Sequence, residues 1–275
     1  MKPYYSEKGI EIWHGDSREV LPRLLPMSTS TPPPMDLLLT DPPYGIGVSR
    51  KAFGSGRIKG GGFLNLKGQC YQPKQFKDSD WDDEPASAEL IQMARDRSRI
   101  QIIWGGNYFA LPPSQGWFVW DKCNDSNDFA DCELAWTNQD KAIRIFRWRW
   151  NGMLQEHGGR HKEERLHPAM KPLALMKWCL ARVPDTKSVL DPWMGSGTTL
   201  EAAKQIGISA IGIEREEQYC EVAAERLRQE VLDFRKTEYE ECHSDSPFCE
   251  KCGICHTEKF PCRLKIPVDF SVEQK

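Results

Sequence analysis

The sequence predicts an α/β protein built on a Rossmann-like, doubly wound sheet, and two stretches carry that prediction. In the first, the apolar run Met35-Asp36-Leu37-Leu38-Leu39 reads as a buried strand that ends at Thr40 and opens into Asp41-Pro42-Pro43-Tyr44-Gly45. In the second, the strand Ser188-Val189-Leu190 runs through Asp191-Pro192-Trp193-Met194-Gly195-Ser196-Gly197-Thr198-Thr199 into a helix, and a further strand, Ala210 to Ile213, ends at Glu214. Strand, glycine loop, helix, strand and terminal acid form a nucleotide-type βαβ unit. Ligands of open sheets bind beyond the carboxyl ends of the strands, where both stretches put their polar residues.

The other elements follow in order. Ile10-Glu11-Ile12-Trp13 alternates as a short strand, and Asp16, with Glu19 three residues on, fits a capping box that starts a helix. Ser30 to Pro34 is a Pro-rich connector. Gly45 to Lys77 has no sustained periodicity and carries Arg50, Lys51, Arg57, Lys59, Lys67, Lys74 and Lys77, which predicts a long, mobile basic loop closed by the acidic Asp78 to Glu84. Ala88 to Arg97 reads as a helix. Ile100 to Trp104, Gly116 to Trp120, Cys132 to Trp136 and Ile143 to Trp150 read as strands, the last alternating apolar or aromatic with basic residues. Ala174 to Arg182 reads as a helix, and Tyr219, Ala223, Leu227, Val231 and Phe234 recur at helical spacing.

Composition sets the class. The chain has 275 residues, 39% hydrophobic and 28% charged, with a formal net charge of -3. That describes an ordinary globular protein and argues against nucleic-acid binding by bulk charge, though not against a local basic groove. No apolar run approaches membrane-spanning length, and Met1-Lys2-Pro3-Tyr4-Tyr5 lacks the apolar core of a signal peptide, so a cytoplasmic location is expected.

The two loops suggest complementary chemistry. Asp41 offers a carboxylate, and Pro42 and Pro43 lack N–H donors and fix φ, so the Asp41 and Pro42 carbonyls sit on a stiff turn beside the flat face of Tyr44. Acceptors without competing donors, next to a stacking surface, suit an exocyclic amino group on a planar base. Any isolated Asp-Pro pair would be read as a turn. In the second loop the glycines let backbone approach a ligand, and Glu214 can accept both hydroxyls of a ribose. An ATP phosphate loop would need a lysine that Gly197-Thr198-Thr199 lacks, and a dinucleotide would want a small residue where Leu200 stands. S-adenosylmethionine fits best, because Asp191 suits its cationic methionine end.

With both loops placed, the sequence resembles the S-adenosylmethionine-dependent amino-methyltransferases of DNA over most of Met1 to Glu240. Asp41-Pro42-Pro43-Tyr44 is similar to the family's catalytic motif and Asp191 to Thr199 to its cofactor loop. The resemblance implies that His167-Pro168-Ala169-Met170-Lys171-Pro172 helps hold the methionine moiety, that Asp16 reaches the adenine and that Glu214 takes the ribose. The catalytic motif precedes the cofactor loop, which resembles the β-type, permuted motif order. Methyl transfer to adenine N6 of a flipped base is implied first, because cytosine-N4 members more often carry Ser where Asp41 stands. An N4-cytosine enzyme, an RNA-directed amino-methyltransferase and a nucleic-acid-binding module with an inactive cofactor site are the alternatives.

DNA recognition is expected in residues 46–80, with Arg57 and Lys59, and in residues 138–166, with Arg144, Arg147 and Arg149 interleaved with Trp148 and Trp150. A solvated edge strand would look the same. The methyltransferase domain is expected to span residues 1–240. Residues 241–275 form a Cys-rich tail in which Cys249, Cys252, Cys255 and Cys262 have spacing suited to a structural zinc ion, against the alternative of free thiols.

Overall fold

The leucine run sets the architecture. Leu37 and Leu39 turn to one side of the sheet and Leu38 to the other, and all three are buried, as a strand covered on both faces requires. Burying each stabilises the fold by about 2 kcal/mol. In the computed structural model, residues 1–26, 32–47, 82–124, 130–151, 154–155, 163–229, 239–241, 248–249, 254–255 and 265–267 are described.

In chain order the elements are β1 (Tyr5–Glu7), β2 (Ile10–His14), α1 (Ser17–Leu24), β3 (Met35–Thr40), α2 (Ala88–Asp96), β4 (Ser98–Trp104), β5 (Trp117–Asp121), β6 (Cys132–Thr137) and β7 (Arg144–Arg147). They continue with β8 (Trp150–Asn151), β9 (Leu154–Gln155), α3 (Leu173–Ala181), β10 (Ser188–Asp191), α4 (Thr198–Ile206), β11 (Ser209–Glu214) and α5 (Glu217–Arg228). The main sheet runs β1-β2-β11-β10-β3-β4-β6-β5-β7. Strands β2, β11, β10, β3 and β4 are parallel, and β6 enters antiparallel between β4 and β5.

Helices cover both faces. Leu175 and Cys179 of α3, Leu200 and Ala203 of α4 and Ala223 and Leu227 of α5 pack on the face of Leu37 and Leu39. Val20 and Leu21 of α1 and Ile91 and Ala94 of α2 pack on the face of Leu38. The sheet is doubly wound: from β10 the chain passes through α4 to β11 on one side, and from β3 through α2 to β4 on the other. The order reverses between β10 and β3, a switch point that opens a crevice between their carboxyl ends. There the Thr40 hydroxyl donates to Asp191 Oδ1 at 2.7 Å, both groups buried.

Some expectations shift. The strand expected from Ile143 to Trp150 ends at Arg147 and resumes as β8, paired with β9. The chain leaves the ladder where the Trp148 carbonyl accepts the Trp120 indole N–H at 2.9 Å, a side-chain partner in place of a strand neighbour. The last helix is described to Arg228; Val231 and Phe234 lie outside the described residues, as does most of the expected basic loop. Among the described residues no helix is long and apolar enough to cross a membrane.

The chain divides into two compact units, Met1–Gln229 and Glu230–Lys275. Within the second, Tyr239–Glu241 pairs antiparallel with Lys265–Pro267, and Phe248–Cys249 with Ile254–Cys255.

Replacing Thr40 with Val removes the bond to Asp191 while keeping the shape. The buried acid then loses one of its donors, keeping those of Thr199 and Trp193, and urea unfolding should show a loss of about 1–3 kcal/mol.

Candidate active site

Adjacent parallel strands deliver acids to one edge of the sheet. Asp16 follows β2, Glu214 ends β11, Asp191 ends β10 and Asp41 follows β3. The His14–Glu214 register and the bond from Gly15 N–H to the Glu214 carbonyl, 2.9 Å, hold the first two strand ends level.

The glycine loop is built around Glu214. Its Oε2 accepts the Gly195 N–H at 3.0 Å and its Oε1 the Glu216 N–H at 2.8 Å, while burial raises its pKa to about 7 against those hydrogen bonds. Burial likewise brings Asp191 to about 6, opposed by hydrogen bonds from Thr199 and Thr40. Gly197 has φ +77°, and a Cβ there would come within 2.8 Å of the Ala223 Cβ, so the loop can lie on α5 only with glycine at this position. Arg226 of α5 ties the loop down. It donates to the Ser196 carbonyl at 2.7 Å and to the Ser196 and Thr198 hydroxyls at 3.3 Å, and it pairs with Glu201. Ser17 donates to the Pro192 carbonyl at 2.5 Å. Asp16 caps α1, accepting the Arg18 N–H at 2.8 Å; the Arg18 guanidinium also pairs with it, rather than Glu19 completing a box.

The segment from His167 to Pro172 lies across both halves. His167 is buried, its ring edge-on to Tyr219 with centroids 4.3 Å apart, and a Cβ on Gly195 would meet it at 3.6 Å. Burial, aided by Arg165 and Lys171, lowers its pKa to about 3. The imidazole is therefore neutral, and Nδ1 accepts the Ala169 N–H at 3.1 Å, which leaves the ring proton on Nε2. The Pro168 carbonyl accepts from Arg165. Four residues after His167, Lys171 ion-pairs with Asp41.

The turn after β3 is pinned from several sides. Asp82 accepts the Tyr44 and Gly45 N–H groups, each at 3.0 Å, and the Pro43 carbonyl accepts the Ala86 N–H at 3.0 Å. The Tyr44 hydroxyl donates to Asp41 Oδ1, and Lys171 Nζ to Asp41 Oδ2. Lys171 also reaches Glu133 at 3.1 Å, and Glu133 pairs with Lys122 at 2.6 Å. Burial raises Tyr44 well above its usual pKa, helped by Asp41 and Glu133, so its phenol stays protonated and donates. The Tyr44 ring stacks on Tyr108 with centroids 4.7 Å apart and an interplanar angle of 11°. It lies so close to Gly105 that a Cβ there would fall 2.0 Å from a ring carbon.

Known DNA methyltransferases resemble this chain. A family model described as a DNA methylase, of the N6/N4 methyltransferases, matches residues 118–225. The Type II methyltransferase M.ScaI of Streptomyces caespitosus is 27% identical, over 84% of this chain and 85% of its own. The Type II methyltransferase M2.LlaDCHI of Lactococcus lactis subsp. cremoris is 25% identical, over 83% and 93%. A solved structure described as an M1.HpyAVI–SAM complex has a TM-score of 0.47 and 22% identity, covering 80% of this chain and 99% of that one. These likenesses support an S-adenosylmethionine-dependent DNA amino-methyltransferase similar to the N6/N4 methylases.

Within this DNA methylase, the residues expected from the sequence are spread over distinct places. Asp16, Asp191 to Thr199, Glu214 and His167 gather at the carboxyl ends of β2, β11 and β10, and Asp41 to Tyr44 lie beside them after β3. Lys171, expected on the cofactor side, stands instead against Asp41. Arg144 and Arg147 lie on β7 at the sheet edge, Arg147 pairing with Asp121 at 3.3 Å, and Arg149 follows. Arg57, Lys59, Cys252 and Cys262 lie outside the described residues, as do the side chains of Cys249 and Cys255. Among the described residues no group of His, Cys, Asp and Glu could hold a metal ion.

The sequence reading missed Glu133, Lys122, Tyr108, Gly105, Asp82 and Arg226. Each acts through a partner distant in sequence. A signal did exist in Gly105-Gly106-Asn107-Tyr108, a glycine turn at a strand's carboxyl end like the other two loops.

Glu214 supplies a test by pH. Its folded pKa, about 7, lies above the ordinary 4.5, so its contribution favours the folded state fully below about pH 4.5 and is lost as pH rises through 7. In the protein without cofactor, Glu214→Gln should flatten that decline in unfolding free energy by up to about 3 kcal/mol, as read by denaturant titrations across the interval.

Proposed function

We propose that this DNA methyltransferase transfers a methyl group to the exocyclic amino group of a base flipped out of DNA, with adenine N6 as the target. The observation that carries the reading is the juxtaposition at the switch point. The rigid Asp41 turn and the glycine loop sit on neighbouring strands joined by the Thr40–Asp191 bond.

The residues present fit S-adenosylmethionine. Glu214 and Asp191 are buried acids on adjacent strand ends, suited to ribose hydroxyls and an ammonium group, and Asp16 stands next along the edge for the adenine. A Cβ on Gly195 would meet no atom closer than 3.6 Å, so the loop leaves room above it. Neutral His167 borders that room without adding positive charge beside a sulfonium. When bound, the cofactor supplies an electrophilic methyl on sulfur.

The chain's own residues handle the base. Flipping costs a few kcal/mol, offset by contacts in the pocket. Asp41 has a lone pair left on each oxygen after binding Tyr44 and Lys171, and Pro42 adds a backbone carbonyl in the same turn. Hydrogen bonds from the amino group to these acceptors localise its nitrogen lone pair toward the methyl. Asp41 is also the base for the proton that the nitrogen releases once the N–C bond has formed. Tyr44 and Tyr108 give the aromatic surface against which the base lies. Catalysis of this kind is positioning and electrostatics. An Asp rather than a Ser at position 41 supports adenine over cytosine.

Asp41→Ala should slow methyl transfer by at least about a hundredfold while S-adenosylmethionine binding stays near normal. Transfer of labelled methyl to DNA, followed by identification of the modified base, checks both parts; substantial residual turnover would remove Asp41 from its role. For DNA contact, β7 ends at the same sheet edge as the site, because it runs parallel to β5 and hence to β4. Replacing Arg147 and Arg149 together by Glu should weaken DNA binding at low salt, and unchanged affinity would take this strand off the interface.

A further inference from the structure

Lys171 is only 7% exposed, yet its ammonium meets carboxylates on two sides, Asp41 and Glu133. Glu133 is held in turn by Lys122. Four alternating charges thus run from the end of β5 through β6 and the segment before α3 to the turn after β3. Each buried ion costs several kcal/mol of desolvation, and a well-packed apolar group in its place is often at least as stable. Stability alone is therefore a poor explanation for a lysine here.

We propose that Lys171 is the positioning residue of the methyl-transfer step: clamped by Glu133, which Lys122 fixes, it holds the Asp41 carboxylate ionised and in one orientation. This rests on the function proposed above. Asp41 is surrounded by groups that disfavour its charge. Burial raises its pKa most, with Lys171 opposing; Glu133 raises it further, and Asp191 lies close enough to feel its charge. The Tyr44 hydroxyl lowers it by donating a hydrogen bond. Of these groups Lys171 is the one cation. Without it burial and Glu133 would be opposed by Tyr44 alone, which favours a protonated Asp41 that presents a donor to an amino group that is itself a donor. Glu133 keeps its own charge: burial would raise it, but Lys171 and Lys122 outweigh that and bring its pKa to about 2. The two carboxylates together raise Lys171 despite its burial.

The test is single-turnover methyl transfer from S-adenosylmethionine to DNA, from about pH 5 to about pH 10, for wild type, Lys171→Met, Lys171→Arg and Glu133→Gln. Lys171→Met should be slowed at least about tenfold at neutral pH and recover toward alkaline pH, its acid limb raised by at least about one unit, with S-adenosylmethionine affinity within about twofold of wild type. Lys171→Arg should restore most of the rate. Glu133→Gln removes an acid facing Asp41 and should move the limb down. A loss in Lys171→Met that is the same at every pH, or a loss of cofactor binding instead, overturns the proposal. If Lys171→Met fails to fold, Glu133→Gln decides alone, and a limb unmoved or raised overturns it. Absence of methyl transfer by wild type would instead refute the function on which the proposal rests.

Discussion

The parallel pairing of β3 with β10 is the contact on which the site depends. Val189 lies beside Leu37 and Leu190 beside Leu38, which puts Asp191 alongside Leu39, within reach of the hydroxyl of Thr40 one residue further on. A slip of one residue would turn every side chain of β3 to the opposite face. The leucines are buried against helices on both faces, which fixes the strand inside the core. Hydrophobic packing deep in the sheet thus sets the spacing of two polar loops at its edge.

Around that pair the site gathers charge in two ways. On the cofactor side, Asp191 and Glu214 are buried with hydrogen-bond donors from backbone and hydroxyls, and their pKa values rise toward neutrality. On the base side, Asp41 and Glu133 are buried with lysines. Neutral donors suit the role proposed for these acids, to take up the hydroxyls and ammonium of the cofactor. Cationic partners suit the role proposed for Asp41, to remain a carboxylate before a substrate amine. The segment from His167 to Lys171 divides the two environments, with a neutral imidazole over the glycine loop and an ammonium at the Asp41 turn.

Tight backbone approaches complete the arrangement. Gly105 lets the Tyr44 ring lie against the loop after β4, and Gly197 lets the cofactor loop lie on α5, where Arg226 fastens it. Both loops are also held by groups outside them, Asp82 for one and Arg226 for the other, which adds to the stiffness of their own sequences.

The sequence by itself determined the fold class, the βαβ unit, the acids at the strand ends and the rigid Asp41 turn. These are local matters: periodicity of 2 or 3.6, glycines at a turn, prolines that fix φ. It also carried the resemblance to the DNA methylases through the two motifs. Tertiary structure alone decided which residues meet across the sheet. Lys171 is separated from Asp41 by 130 positions and Thr40 from Asp191 by 151, and no pattern within a window links them. Antiparallel β6, inserted between β4 and β5, is what carries Glu133 to the site, and that strand order cannot be read from a strand's own composition. A lysine near a glycine loop looks like a ligand for the cofactor in sequence. Its actual partner was settled by sheet order and by the need of a buried ammonium for carboxylates on both sides.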